Sequence, residues 1–309
     1  MRTGHHTARL AGLFWTVMAL LFSIVPLSAQ NTSEQRAELD LMHERDEHQG
    51  IVEQIDAALG RAAPGRERAE LYWRRARAEL SVSDLGRYTG AVRDDQALEL
   101  LEQAEGFAKQ AIAEDPGLAQ PYFWKAAAIA QRGQIRGVLN SLFMAGDVRD
   151  AALEALERNA ELGEVHYLLG QLYRELPGRP LSFGNAAYAV SFGRKAVELH
   201  EQHYNSGELP YRYYDYYTQL AKSLRARNWN SGRRTSRANS MRGAYQSASN
   251  NFDRYSNYEG TVDLRSETDR QEGKRMLDWV ISELEAKPSL SVRQRRSLEE
   301  ARELEAERW

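Results

Sequence analysis

The 309-residue chain contains no cysteine, which excludes disulfides, thiolate metal sites, a cysteine nucleophile and a lipid-modified cysteine anchor. Proline is scarce, at 8 positions, and charged residues make up 28% of the chain, a composition unlike that of a wholly disordered protein. A surplus of positive charge is also missing. The 41 Lys+Arg stand against 44 Asp+Glu, which disfavours a general nucleic-acid binder. No segment shows convincing period-two alternation, so a sheet is not expected. No G-x-S-x-G, phosphate-cradling Gly loop or dinucleotide fingerprint is present. What the chain does have is 42% apolar residues, enough to bury a core in one elongated domain or two compact ones.

The first segment reads as an address. Arg2 and Arg9 precede an uncharged apolar run from Leu10 to Val25, and Pro26-Leu27-Ser28-Ala29 then offers small residues at a cleavage point before Gln30. That order of basic, apolar and small-residue regions is the pattern of a cleaved signal peptide over residues 1–29, implying a periplasmic or secreted protein. An uncleaved membrane anchor is the alternative, since Leu10–Ala29 has about the ~20 residues needed to span a bilayer. The segment carries two Arg and no acid, so its removal takes the net charge from −3 to −5.

The rest reads as helix after helix. Thr32 to Gln35 matches a capping box, and Leu41, His48, Val52, Ile55 and Leu59 follow at helical spacing, predicting one helix that Gly60 and Pro64 end. Ala104, Ala108 and Ala111, followed by Asp115-Pro116, resemble the second helix of a tetratricopeptide hairpin and its closing turn. Tyr122, Ala126 and Ile129 then take first-helix places. His166-x2-Leu169-Gly170-x2-Tyr173 fits the W-x2-L-G-x2-Y template, with Ala189, Gly193 and Ala196 on its partner. Tyr217-x2-Leu220-Ala221-x2-Leu224 supplies a further first helix. The small positions Ala76, Ala126, Gly170 and Ala221 are spaced more widely than the ~34-residue repeat, which marks lengthened hairpins.

Ala69-Glu70-Leu71-Tyr72-Trp73-Arg74-Arg75-Ala76-Arg77 resembles the opening helix of the regulator of microtubule dynamics family, and the likeness continues through Ala104–Pro116, Tyr122–Ala126 and His166–Gly170 to Pro177. The resemblance implies an all-α, tetratricopeptide-like domain, and some relatives are membrane-anchored tethers proposed to hold lipid. Microtubule binding is not carried over to a chain that reads as exported. A looser resemblance, in compartment and architecture, is to periplasmic tetratricopeptide proteins associated with tripartite transporters.

Candidate chemistry is thin. His43-Glu44-Arg45-Asp46-Glu47-His48 departs from H-E-x-x-H by one residue, which on a helix separates the imidazoles by about 140° and leaves His43 pointing away from the apolar stripe of His48. His200 and His203, with Glu198, share a face and would need His166 as a third ligand. The position near a helix C-terminus also favours His without any metal. In Tyr211-Arg212-Tyr213-Tyr214-Asp215-Tyr216-Tyr217, helical spacing aligns Tyr213, Tyr217, Leu220 and Leu224 as a buried stripe, leaving Tyr211 and Tyr216 for a contact surface. Residues 225–254 hold seven Arg against one Asp, sharpest at Arg233-Arg234-Thr235-Ser236-Arg237. They read either as a cationic surface for an anionic envelope partner or as a solvated segment with Ala238, Met241, Tyr245, Ala248, Phe252 and Tyr255 turned inward.

The expectation is therefore all-α: a tetratricopeptide-like right-handed superhelix of antiparallel helix hairpins over 30–226, an Arg/Ser/Asn-rich insertion or helix at 227–262, and capping helices at 263–309. Its groove is expected to bind a partner protein without catalysis, cofactor, metal or nucleic acid. Tyr122, Trp124, Tyr211 and Tyr216 are the contact residues, with Arg233, Arg234 and Arg237 on an anionic partner. A carrier of lipid or another apolar ligand is the first rival, requiring the groove to close into a cavity of about 300–1,000 Å³. An unrecognised hydrolase is the second, requiring titratable groups with shifted pKa values in a cleft.

Overall fold

The computed structural model describes residues 27–307, with side chains from residue 33, so the signal-peptide reading of 1–29 falls almost wholly outside the described residues. Within them the regular elements are α1 (Leu27–Glu44), α2 (His48–Leu59), α3 (Arg66–Thr89), α4 (Asp94–Glu114), α5 (Gln120–Arg136), α6 (Val138–Arg158), α7 (Gly163–Glu175), α8 (Ala186–Asn205), α9 (Asp215–Arg227), α10 (Ser231–Ser247), α11 (Asn251–Tyr255), a 3-10 turn (Tyr258–Thr261), α12 (Asp269–Glu285) and α13 (Val292–Ala306). No strand occurs among the described residues.

The expected helical-repeat superhelix forms. Hairpins α3/α4, α5/α6 and α7/α8 stack in chain order, and α3, α5, α7 and α9 make a contiguous inner row. Small side chains set the spacing: Ala76, Ala126 and Ala221 are fully buried, and Gly170 is buried with them. A β-carbon on Gly170 would lie 3.3 Å from both the Ala189 carbonyl oxygen and the Gly193 nitrogen, so α7 and α8 meet backbone to backbone. The fourth hairpin departs from chain order. α9 pairs with α12, and residues 228–268 loop out between them.

That excursion is the Arg/Ser/Asn-rich segment, and it is ordered into α10, α11 and the 3-10 turn. Met241 and Tyr255 are buried and Tyr245 and Phe252 half-buried, as the inward stripe predicted, and the three aromatics join the core around Phe192 and Tyr173. A β-carbon at Gly260 would fall 2.2 Å from the Arg242 nitrogen, so the 3-10 turn crosses α10 too closely for any larger residue.

Behind this crossing lies a buried ionic joint. Arg194 donates from Nε to Glu259 at 2.9 Å and from both terminal nitrogens to Glu272 at 2.8 Å. Arg227 donates to Asp269 at 2.8 Å and to Glu259 at 2.9 Å, while Arg234 donates to Glu272. Three cations meet three carboxylates with side chains at most 9% exposed, tying α8, α9, α10, the 3-10 turn and α12 together. Burial alone would raise Glu272, but the Arg194 and Arg234 guanidiniums hold its carboxyl at about 2.

Two local expectations are corrected. α1 runs through Thr32, which is therefore helix interior and not a cap, and the predicted single helix breaks after Glu44, where Asp46 takes a left-handed turn (φ 59°) before α2. Because of that break His43 does not point away from His48. Both are buried, with ring centroids 5.1 Å apart.

Candidate functional site

The inner row of helices curves around a cavity of about 730 Å³. α3 contributes Arg77, Leu80 and Asp84; α5 contributes Phe123, Trp124, Ala127 and Gln131; α7 contributes Glu164, Tyr167, Leu168 and Gln171. The aromatic run Tyr211–Tyr216 adds a further wall, and α13 completes the lining through Arg293, Arg296, Ser297 and Glu300.

α13 is the unexpected part. Ser291 caps it by accepting from the Gln294 amide, and Leu298, Ala301 and Leu304 seat its apolar side among Tyr217, Leu277, Val280 and Leu284. Its polar side reaches across to the beginning of the chain. Arg293 donates to Asp46 at 2.7 Å, Arg296 to Asp84 at 2.7 Å, and Tyr88 donates to Glu299 at 2.6 Å. Tyr211 reinforces the closure by donating to the Glu44 carbonyl at 2.7 Å, and Tyr213 donates to the Glu44 carboxylate. First and last repeats are thus joined, and the concave groove becomes a chamber that stays half open.

The sequence-predicted site residues divide accordingly. Trp124, Tyr211 and Tyr216 line the chamber. Tyr216 is only 9% exposed and stacks on Tyr167 with ring centroids 4.6 Å apart, so it is a wall residue and not an outer contact surface. The stripe drawn through Tyr213 is corrected with it. Tyr211 to Tyr214 precede α9, leaving Tyr213 half-buried on the chamber wall. Tyr122 lies off the chamber, under the Arg158 guanidinium at 3.9 Å from its ring centroid. Arg233 and Arg237 are exposed on α10, but Arg234 is 2% exposed and committed to the ionic joint, so it does not belong to a cationic surface.

The histidines do not converge. His200 Nε2 accepts the Tyr213 amide at 2.9 Å, His203 faces Glu208 at 2.5 Å, and His166 Nε2 faces the Ala160 carbonyl at 2.7 Å. Burial pushes His200 and His166 down to about 4. Among the described residues no group of three His, Asp or Glu is placed to hold a metal ion.

Glu164 and Asp215 were missed in the sequence. Each stands in the first turn of its helix, α7 and α9, where an acid is common because it complements the helix dipole. In the fold both are half-buried on the chamber wall, and burial pushes both carboxyls up. Tyr167 stands beside Asp215, and burial carries the Tyr167 and Tyr216 phenols well above their ordinary range.

No curated protein matches the chain. Residues 35–177, just under half of the 309, match the family described as Regulator of microtubule dynamics protein 1-3. That span runs from α1 through α7 and takes in Arg77, Trp124 and Glu164 of the chamber, whereas the Tyr211–Tyr216 wall and α13 lie beyond it. In its helical fold and in the chamber-forming helices α3, α5 and α7 the chain resembles the regulator of microtubule dynamics family.

Proposed function

We propose that this protein is a non-catalytic carrier or sensor that holds a small amphipathic organic molecule in the chamber bounded by α3, α5, α7, α9 and α13. The observation that carries this reading is the bridge made by α13, which turns an open groove into a cavity of about 730 Å³, within the usual size of small-molecule sites. Apolar and aromatic side chains (Leu80, Phe123, Trp124, Leu168) alternate with polar ones (Gln131, Gln171, Glu164), a lining suited to a ligand with both an apolar body and a polar end. An extended segment of a partner protein, the reading that helical repeats first suggest, fits a continuous open groove better. A protein contact has separate support on the outside, where Val138, Leu139 and Phe143 of α6 are 71–84% exposed. Export, with a periplasmic or secreted location, stays part of this reading on the strength of the N-terminal pattern.

The test is native mass spectrometry of the purified chain, beside a Gln171→Trp variant. Gln171 is half-buried on the chamber wall, so indole there intrudes on the space a ligand would occupy. The expected result is a bound adduct of small-molecule mass in the parent and none in a Gln171→Trp variant of unchanged stability. Apo spectra for both, with a stoichiometric protein partner recovered instead, would overturn the carrier reading.

A further inference from the structure

Charge around the chamber is not balanced. Each wall cation already has an acid: Arg77 meets Asp40 at 2.7 Å, Arg174 meets Glu175 at 2.5 Å, Arg212 meets Glu201 at 2.7 Å, Arg293 meets Asp46 and Arg296 meets Asp84 at 2.7 Å, and Lys222 meets Glu300. Three wall carboxylates make no ion pair at contact distance. Glu44 accepts from Tyr213, Asp215 stands beside Tyr167 with Arg293 farther off, and Glu164 bonds its own backbone amide with Arg77 and His203 near it. All three act on Tyr216, whose face is stacked on Tyr167 and lies 5.0 Å from the His200 ring.

His43 is 7% exposed and lines the chamber, while its Nδ1 is shut away from that space without a hydrogen-bond partner. Burial and the neighbouring Arg77 and Arg293 keep its ring neutral, so it adds no competing positive charge to the wall.

Resting on the carrier reading above, we propose that the ligand's polar end is an organic ammonium group, held between the Glu164 carboxylate and the half-buried ring of Tyr167, which Tyr216 backs. A carboxylate supplies the charge complement and aromatic faces attract a desolvated cation through their quadrupole, most strongly where water is excluded. An anionic ligand would meet three carboxylates at this end of the chamber, where the nearby Arg77 and Arg293 are already held by Asp40 and Asp46.

Isothermal titration of the full chain with n-octylammonium, n-octanol and n-octanoate, which share one apolar body, separates the two claims. The expected result is that the ammonium binds at least about tenfold tighter than the alcohol, the carboxylate binds weakest, and Glu164→Gln removes about that tenfold preference. Equal binding of all three would keep the carrier reading and end the ammonium assignment. Tighter binding of octanoate would end it too. Absence of binding by any probe would count against the chamber as a ligand site at all. Because the probe series uses the unaltered chain, the result does not depend on the variant folding.

Discussion

Arg293 and Asp46 are 247 residues apart in the chain, yet the arginine Nε donates to the aspartate at 2.7 Å. One stands at the start of the last helix, the other in the left-handed turn between the first two. This pair, with Arg296–Asp84 and Tyr88–Glu299, is what makes a chamber of a groove. Such partly exposed pairs contribute about 0–1 kcal/mol each and are weakened by salt, so closure rests on several weak contacts acting together.

Arg233 and Arg234 are adjacent in sequence and opposite in consequence. Arg234 is buried in the ionic joint, whereas Arg233 is exposed beside the Trp229 ring. Arg234→Ala is expected to cost about 3–5 kcal/mol, the cost of breaking a buried pair and leaving its carboxylate neighbours undercompensated. Arg233→Ala is expected to stay within about 0.5 kcal/mol of the parent. Urea unfolding of the two variants measures the contrast; similar small losses in both would show that the joint contributes little.

Acid is expected to act in two steps. His166 and His200 are lowered from 6.5 to about 4, so the unfolded chain takes up their protons first and stability falls as pH drops through that window. Glu272, lowered from 4.5 to about 2, contributes stability that is complete above 4.5 and lost below it. Glu164 and Asp215 oppose the second step, because burial raises them and protonation relieves their desolvation. Thermal midpoints from pH 8 to 3 should therefore decline from about 6.5 downward, then more steeply below about 4.5. A flat profile to pH 4 would contradict the buried neutral histidines.

Glycine matters at the α7–α8 crossing, where the atoms nearest Gly170 are backbone. Gly170→Ala drives a methyl against the Ala189 and Gly193 backbone, which cannot yield as a side chain can, and is expected to cost about 1–3 kcal/mol. Gly106→Ala, in the middle of α4 with nothing within 4 Å of the new methyl, should instead stabilise by about 0.5–1 kcal/mol. Paired denaturation curves read both. A neutral Gly170→Ala would mean that the hairpins are spaced by something other than small residues.

The fold was legible because its signal is local and repeated. Ala76, Ala126, Gly170 and Ala221 recur at matching places, and all are buried where one helix nests on the next. The inward stripe of α10 and α11 was legible for the same reason, in Met241 and Tyr255. The chamber was not, because it depends on contacts between distant parts of the chain. Arg293 looks like any charge on a solvated end helix until Asp46 is set beside it. Arg234 looks like its neighbour Arg233 until Glu272 arrives from α12. Glu164 and Asp215 carry no mark that separates them from ordinary first-turn acids. Tyr211 and Tyr216 were singled out for surface area, and the fold turned that surface inward.

Whether α13 closes the groove in solution is tested most directly by cross-linking its far contact. Tyr88 and Glu299 meet at 2.6 Å, and the chain has no cysteine, so Tyr88→Cys with Glu299→Cys supplies the only thiols. With a short bismaleimide in low salt, rapid and nearly complete intramolecular cross-linking is expected, slowing in 1 M salt as the ion pairs are screened. Singly labelled protein with free ends, at low salt and with the helical fold intact, would contradict the bridge between α13 and α3.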